Sequence, residues 1–325
     1  MHARITHSLL AAGLLAATTT AAADDRALDQ QIAASERLLV LAPHPDDEVI
    51  GAAGLTQRVL ARGGRVRTLI VTAGDGFIEA LRKQTGLTDP GAAAYLAYGK
   101  TRIQEAKAAS RVLGGGRIRL ELLGFPDAFI APLLSSHWNN AQPVRSDTTE
   151  RSAVPYRELP QRNLAYSGNN LLRAIVHVLR EFRPTTIAYP EPLDEHPDHG
   201  TVGQFGLLAV NEFMRGSRGA WPRLLSYLVH LKGWPPNSTD AAVDLTIDAP
   251  LELPAELPAR GQARTCLTLS DDELARKRSA MAEHRTQQAI MPVYLAAFVR
   301  RTECFSVNTR VDAEEVERRV SAAPR

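Results

Sequence analysis

The chain of 325 residues carries 38 Lys and Arg against 36 Asp and Glu, which gives a formal net charge of +2. Hydrophobic residues make up 44% and charged residues 23%, the proportions of a globular protein with a large core. Such a balanced charge gives no reason to expect a polyanionic partner, and no basic patch with interleaved aromatic residues is present. We therefore expect no nucleic-acid partner.

The first 23 residues have the layout of an export signal. A weakly basic start with Arg4 is followed by the apolar run 9–17 and by alanines up to Ala23. This order predicts a signal peptide that is cleaved after Ala23, and an alanine-rich helix is the alternative. The apolar run is too short for the roughly 20 residues of a membrane span. We expect a periplasmic or secreted protein without a transmembrane span.

After a polar lead-in at 24–36, predicted strands alternate with predicted helices. Apolar runs predict strands at 37–42, 66–72, 118–123, 185–189 and 224–231. Apolar residues at helical spacing separate these strands. This alternation predicts an α/β fold, a Rossmann-like, mostly parallel sheet with helices on both faces. The single domain, residues 37–325, has a C-terminal strand and helix extension, with segments predicted near 262–269, 271–287 and 297–307.

Two segments interrupt this alternation. Residues 128–168 show little periodicity and contain Trp138, Tyr156 and Tyr166. Loops this long in a compact domain are usually functional, so we expect an active-site loop whose rings stack on sugar. The proline-rich stretch 233–260 is predicted to be an irregular excursion.

The sequence contains two cysteines, Cys266 and Cys304. In an exported protein they could form a disulfide, because the compartment is oxidising. Two separate buried thiols are the alternative, and the sequence leaves this open.

Two charged clusters follow predicted strands. HPDDE at 44–48 comes after the first strand, and EHPDH at 195–199 comes after the fourth. Ligands of open α/β sheets bind outside the carboxyl ends of the strands, so the clusters are expected to meet. His44, Asp47 and His199 would supply two imidazoles and a carboxylate, the three ligands of a catalytic zinc site with an open position.

Other interpretations of the clusters exist. Either cluster alone could cap the helix after it, with Asp46 or Asp47 as the cap. Two clusters at two strand ends favour a metal. The same ligand types occur in non-haem Fe(II) oxygenases, but those enzymes usually adopt jelly rolls. A sugar-binding protein without catalysis would not need Asp46 as a base.

LAPHPDDEVIGAAG at 41–54 resembles the A-H-P-D-D-E-x-x-G motif of the PIG-L / LmbE-like deacetylase family, and HPDH at 196–199 resembles its second motif. The resemblance extends from Leu38 to Phe305. It implies a metal-dependent hydrolase, typically with zinc, that removes acetyl groups from N-acetylglucosamine-type sugars or glycoconjugates. Fe²⁺ is the other candidate metal, and an amidase on another acylated sugar or glycopeptide conjugate is the other candidate activity. Further shared features are VTAGDG at 71–76, Arg102-x-x-Glu105, GFPD at 124–127 and His284-x-x-Gln287.

The resemblance also implies roles for individual residues. His44, Asp47 and His199 match the metal ligands. Asp46 matches the general base, and His196 matches the residue that stabilises the oxyanion as an imidazolium and protonates the leaving amine.

Two further residues match substrate contacts of the family. Arg102 matches an arginine that reaches substrate hydroxyls or phosphate, and Asp127 matches a second contact. Some members carry a tyrosine two residues before the HPDH histidine, where this chain has Asp194. The helix that carries His284 suggests a surface or packing role for that histidine.

Overall fold

The computed structural model describes residues 25–217, 219–236, 250–255, 257 and 263–322. The predicted signal peptide, residues 1–23, and most of the stretch 233–260 lie outside these residues. The seven strands are β1 Arg37–Ala42, β2 Arg65–Thr72, β3 Ile118–Phe125, β4 Thr186–Pro190, β5 Arg223–Tyr227, β6 Ala263–Thr268 and β7 Thr302–Asn308.

The seven strands form one sheet in the order β3-β2-β1-β4-β5-β7-β6. Strands β1 to β5 pair in parallel, whereas β7 is antiparallel to both β5 and β6. The mostly parallel, Rossmann-like sheet predicted from the sequence is therefore confirmed. Strand β1 lies between β2 and β4, and the chain runs outward from β1 through β2 to β3 on one side and from β4 to β5 on the other.

Helices cover both faces of the sheet and thereby bury β1 on both sides. Leu39 and Leu41 pack into one core with the helices at 168–182, 197–214 and 310–322. Leu38 and Val40 pack into a second core with the helices at 25–31, 47–61 and 271–282. This alternation follows from the two-residue period of a strand. The helices are α1 Asp25–Gln31, α2 Asp47–Ala61, α3 Ile78–Thr85, α4 Ala92–Gly114, α5 Gly168–Phe182, α6 Pro197–Met214, α7 Asp271–Ala282, α8 Arg285–Gln288, α9 Pro292–Ala296 and α10 Arg310–Ala322.

The polar lead-in prediction for residues 24–36 was wrong where the structure describes them. Residues 25–31 form helix α1, which is followed by the buried Ile32. Leu28 is buried as well, and Asp29 forms ion pairs with Arg58 and Arg62 of helix α2. Two apolar residues four positions apart gave too short a pattern to be recognised as a helix face.

The predicted helix 271–287 is interrupted at 283–284, where α7 ends and α8 begins. The last helix, α10, was not predicted, and it packs against α6 through a hydrogen bond from the Asn211 side chain to the Ala313 carbonyl. None of the helices in the described part of the chain is both long and apolar enough to cross a membrane.

The segment 128–168 is not an active-site loop of stacking rings. Tyr156 and Tyr166 are completely buried, and Trp138 stacks on Phe205 of α6 with the ring centroids 6.3 Å apart. The segment contains a 3₁₀ turn, Ala131–Leu134, and its aromatic residues fill the core beside β3 and α6. Tyr156 and Tyr166 therefore cannot stack on a sugar, Trp138 is partly buried against the core, and a short linker in place of the segment would leave a large void.

Cys266 and Cys304 form a disulfide across the antiparallel pair β6 and β7, where they are direct partners in the register. The two strands that extend the parallel sheet are thus joined covalently as well as by the backbone ladder.

Asp75 links the segment 128–168 to the end of β2. It is buried, and its carboxylate accepts a hydrogen bond from the hydroxyl of Tyr156. Burial, and secondarily the charge of Asp127, raise the pKa of Asp75 to about 7. The folded protein therefore holds a proton that the unfolded chain releases near pH 4.

A raised carboxyl pKa contributes stability that is complete below the unfolded pKa and is lost as the pH rises through the folded pKa. Wild type should lose free energy of unfolding relative to Asp75→Asn between about pH 4 and 7, by about 1.4 kcal/mol per pH unit. Urea denaturation across this range measures the difference. Asp271→Asn is the control, because 90% of the Asp271 side chain is exposed and is not subject to the burial that acts on Asp75. Parallel stability curves for wild type and Asp75→Asn would contradict this assignment.

Candidate metal centre

The site lies where two neighbouring parallel strands end. Strands β1 and β4 pair in parallel, with Leu38 opposite Thr186, so the segments that follow them leave the sheet side by side. HPDDE begins two residues after β1, and HPDH forms the start of α6 after β4. The crossovers diverge at this point of the sheet, which is where open α/β sheets bind ligands.

The three predicted ligands converge there. His44 Nδ1 lies 3.1 Å from Asp47 Oδ2 and 3.2 Å from His199 Nε2, and the same Asp47 oxygen lies 3.2 Å from His199 Nε2. All three residues are buried. The structure thus brings together two residues of the first motif and one of the second. His44 and His199 are 155 positions apart in the sequence.

This triangle of atoms fits a bound metal ion. A tetrahedral site with metal–ligand distances of about 2.0–2.1 Å has ligand–ligand edges of about 3.3–3.4 Å. The edges of 3.1 and 3.2 Å between the three atoms are close to that value. Two imidazole nitrogens and a carboxylate oxygen are also a donor set that zinc and iron accept.

The far nitrogen of His44 is held by carboxylates. Its Nε2 lies 3.1 Å from Asp127 Oδ1 and 3.4 Å from Asp198 Oδ2. A carboxylate only accepts hydrogen bonds, so the proton of a neutral His44 ring lies on Nε2 and Nδ1 is free to bind a metal. Burial alone would lower the pKa of His44, but Asp127, together with Asp198 and Asp47, raises this pKa well above its usual value.

Asp127 therefore orients His44, while its contact with substrate stays a prediction. One of its oxygens faces His44, and the other accepts the backbone N–H of Gly76 at 2.6 Å. The carboxylate is buried and both oxygens are occupied, although the residue borders the pocket.

Asp194 lies beside His199, the second histidine of the triangle, at ion-pair distance and without a hydrogen bond to its Nδ1. Its Oδ2 lies 3.5 Å from His199 Nδ1, and it also accepts the backbone N–H groups of Val229 and His230 at 2.9 Å. The other oxygen accepts the backbone N–H of His196 at 3.0 Å. Asp194 thus connects the loop after β4 with the loop after β5.

Asp46 occupies an unusual backbone conformation. Its φ is 128° and its ψ is −31°, a strained combination for a residue with a side chain. Its backbone N–H donates to Glu48 Oε2 at 2.9 Å, and Glu48 Oε1 faces the buried His284 at 3.3 Å. His284 thus supports the segment that carries Asp46 and Glu48, in agreement with the packing role that the sequence suggested.

Burial raises the pKa of Asp46 to about 7, and Arg102 opposes this shift. The carboxylate lies at the pocket beside the three ligand atoms, and its Oδ1 is 3.4 Å from the Arg102 guanidinium. A buried carboxylate whose pKa lies near neutrality is suited to accept a proton.

Arg102 makes structural contacts and also lines the pocket, so its role in substrate binding stays a prediction. Its guanidinium donates to the carbonyl oxygens of Gly74 at 2.9 Å and Pro45 at 2.5 Å, and it faces Asp46. Only 3% of the residue is exposed. Arg102 therefore fixes the strained segment that carries Asp46.

His196 borders the pocket as a neutral imidazole. Burial, followed by the nearby His44 and His199, lowers its pKa to about 3. Its Nδ1 accepts the backbone N–H of Asp198 at 3.3 Å, so the ring proton lies on Nε2. The lowered pKa favours the neutral ring, which still has an N–H with which to donate, and the imidazolium role expected from the sequence stays a prediction.

These residues surround a pocket of about 400 Å³. Most of its other wall comes from segments outside the two metal motifs, and Ala128 is the only pocket residue from the segment 128–168. His230, just beyond β5, was missed because a single histidine after an apolar run carries no sequence signal. The residues of this second wall are Ile50, Phe77, Val229, His230, Gln287, Met291, Tyr294 and Leu295.

Comparison with known proteins agrees with this geometry. Residues 39–210, more than half of the chain, match the PIG-L family, described as GlcNAc-PI de-N-acetylase. The chain is also 31% identical over 182 residues to the 1D-myo-inositol 2-acetamido-2-deoxy-alpha-D-glucopyranoside deacetylase of Rhodococcus jostii (strain RHA1). That match covers 54% of each protein, so the chain spans about half the length of this curated relative.

Solved structures share the fold. The A40926 pseudoaglycone deacetylase has a TM-score of 0.52 at 19% identity, with 84% of this chain and 98% of that chain covered. The N,N'-diacetylchitobiose deacetylase of Pyrococcus horikoshii has a TM-score of 0.50 at 16% identity, with 85% of each chain covered.

The fold and the site together define a Rossmann-like α/β protein with a His, Asp, His cluster at the carboxyl edge of its sheet. The match over residues 39–210 then shows the family: the chain belongs to the PIG-L deacetylase family, as its two motifs predicted.

The assignment of Arg102 can be tested by Arg102→Met. This change leaves two buried carbonyl groups and Asp46 without their cation, so the free energy of unfolding should fall by about 3–5 kcal/mol. Chemical denaturation measures it. Arg145→Met is the control, because that exposed arginine pairs with Glu150 at the surface and should matter little. A variant as stable as wild type, with only a raised KM, would favour the substrate-binding role instead.

Proposed function

We propose that the protein is a metal-dependent hydrolase that removes the acetyl group from an N-acetylglucosamine-type sugar or glycoconjugate. The observation that carries this proposal is the convergence of His44 Nδ1, Asp47 Oδ2 and His199 Nε2 beside the carboxylate of Asp46. Membership of the PIG-L family and the deacetylase names of the relatives support the substrate class.

His44, Asp47 and His199 would hold the ion, with Zn²⁺ as the first candidate and Fe²⁺ as the second. Such an ion lowers the pKa of bound water and polarises a carbonyl group. The protein's own contribution is to orient the two histidine donors, with Asp127 and Asp198 beside His44 and Asp194 beside His199.

Two pocket residues then handle the proton and the developing charge. Asp46 takes a proton from the attacking water, a task that suits a carboxylate held near neutrality by burial. His196 donates its Nε2–H to the carbonyl oxygen of the amide, which becomes negative as water adds. The proton on Asp46 passes to the sugar nitrogen, and acetate and the free amine leave.

Hydrolysis of a different acylated sugar or glycopeptide conjugate would use the same residues. The oxygenase alternative is not supported, because those enzymes usually adopt jelly rolls and this sheet is mostly parallel. Release of free amine from N-acetylated sugars of increasing length by the purified, metal-loaded protein tests the function. Absence of release from every member of the series would contradict it.

We also propose that the protein is exported to the periplasm or secreted. The charge, apolar run and alanines of residues 1–23 support this, as does the Cys266–Cys304 disulfide, since such bonds persist in oxidising compartments. Edman sequencing of the mature protein should begin at Asp24.

Asp46→Asn should retain the metal and lose turnover. Asparagine cannot accept the proton from water, so kcat should fall by on the order of 10²–10⁴-fold. Steady-state kinetics and elemental analysis on one preparation measure both quantities. Turnover near that of wild type would remove Asp46 from the mechanism.

Asp127→Ala should weaken metal binding although Asp127 is not a ligand. Loss of the acceptor beside His44 Nε2 frees the ring to turn and to change tautomer, and such supporting residues contribute about 10–100-fold in metal affinity. Asp127→Asn is the matched control, because its amide oxygen still accepts the Nε2 proton. Competition with a chromophoric chelator measures the affinity. Equal affinity in Asp127→Ala and wild type would refute the role given to Asp127.

A further inference from the structure

His230 is a fourth histidine at the site, outside both motifs and beyond the family match over residues 39–210. It follows β5 by three residues and borders the pocket, with 35% of its side chain exposed. Its ring lies 4.4 Å from that of His199 and 5.0 Å from that of His196, measured between centroids. His230 therefore stands beside the residue that faces the amide carbonyl in the proposed reaction.

Neighbouring groups fix the position of His230. Its backbone N–H donates to Asp194 Oδ2 at 2.9 Å, and its Nδ1 lies 3.3 Å from Asp194 Oδ1. Its ring stacks on Tyr294 at 5.9 Å with an interplanar angle of 18°. The hydroxyl of Tyr294 donates to the carbonyl of Val229 at 2.7 Å, which ties the stacked ring to the same loop. A side chain held this firmly is preorganised for a specific contact.

The orientation of the ring shows which nitrogen meets the pocket. Nδ1 is buried beside Asp194, so the exposed part of His230 is the edge that carries Nε2. The contact of 3.3 Å lacks hydrogen-bond geometry, but the negative charge of Asp194 favours the tautomer with the proton on Nδ1. In that tautomer Nε2 is a hydrogen-bond acceptor that faces the substrate.

The neighbours of an acetamido group on a sugar ring supply a matching donor. The carbon on one side, C1, carries the glycosidic bond in a conjugate, while the carbon on the other side, C3, carries a free hydroxyl. An amide whose carbonyl accepts the His196 Nε2–H places a group on a neighbouring sugar carbon within reach of His230, because the two rings are 5.0 Å apart.

We infer that His230 is a substrate-binding residue whose Nε2 accepts a hydrogen bond from the hydroxyl next to the scissile acetamido group, so that the enzyme selects N-acetyl amino sugars with a free 3-hydroxyl. This inference rests on the proposed function, and Asp194 and Tyr294 serve it as positioning residues.

The test compares two variants of His230, one that keeps a polar group at the Nδ1 position and one that keeps a polar group near the Nε2 position. The amide of His230→Asn reaches the Nδ1 position and can still meet Asp194, while the longer His230→Gln can place an acceptor near the Nε2 position. The kcat/KM for a glycoside of N-acetylglucosamine should fall about tenfold or more in His230→Asn, and less in His230→Gln. Metal content should not change. His177→Asn, on the exposed face of α5, is the control and should retain full activity.

A 3-deoxy glycoside of N-acetylglucosamine completes the test. Wild type should hydrolyse it about tenfold more slowly than the parent glycoside, and this difference should vanish in His230→Asn, because the hydrogen bond is already lost there. The inference is overturned if the two substrates differ by the same factor in both enzymes, if His230→Asn is more active than His230→Gln, or if His230→Asn loses its metal. A wild type that hydrolyses neither substrate would contradict the proposed function itself.

Discussion

The site depends on the parallel pairing of β1 with β4. Three register pairs, Leu38 with Thr186, Leu39 with Ile187 and Val40 with Ala188, bring the carboxyl ends of these strands together. The motif after each strand contains part of one donor set, so neither motif can form the cluster alone. Both strands are buried and apolar, and the two cores on either face of the sheet fix their register. The stability of the core thereby sets the distances between the donor atoms.

Buried carboxylates position the histidine rings and the backbone of the site. Asp127 and Asp198 face His44, Asp194 faces His199 and His230, and Glu48 holds the strained backbone of Asp46. Each carboxylate also accepts one or more backbone N–H groups or faces a histidine, which offsets the cost of its burial. The acids in HPDDE and EHPDH thus have different tasks: Asp47 faces the metal position, whereas Glu48 and Asp198 support the segment and the ring beside it.

The sequence predicted the sheet and the donor set well, because strand periodicity and two dense charged motifs are local signals. It did not predict that the tyrosines of residues 128–168 are buried, because the sequence around Tyr156 and Tyr166 does not distinguish a buried segment from a binding loop. It could not show that both main contacts of Arg102 are backbone carbonyls, because such partners leave no mark in the sequence. His230 acquires its significance only from Asp194 and Tyr294, which lie 36 and 64 positions away and meet it through the tertiary fold.

The central claim is that His44, Asp47 and His199 together hold one metal ion. Elemental analysis of wild type and His199→Ala, purified in parallel after loading with Zn²⁺ and gel filtration, tests it most directly. The account predicts about one ion per chain in wild type and loss of most of it in the variant, because one of three protein donors is gone while the fold remains, as circular dichroism would show. A folded His199→Ala protein with the metal content of wild type would contradict it.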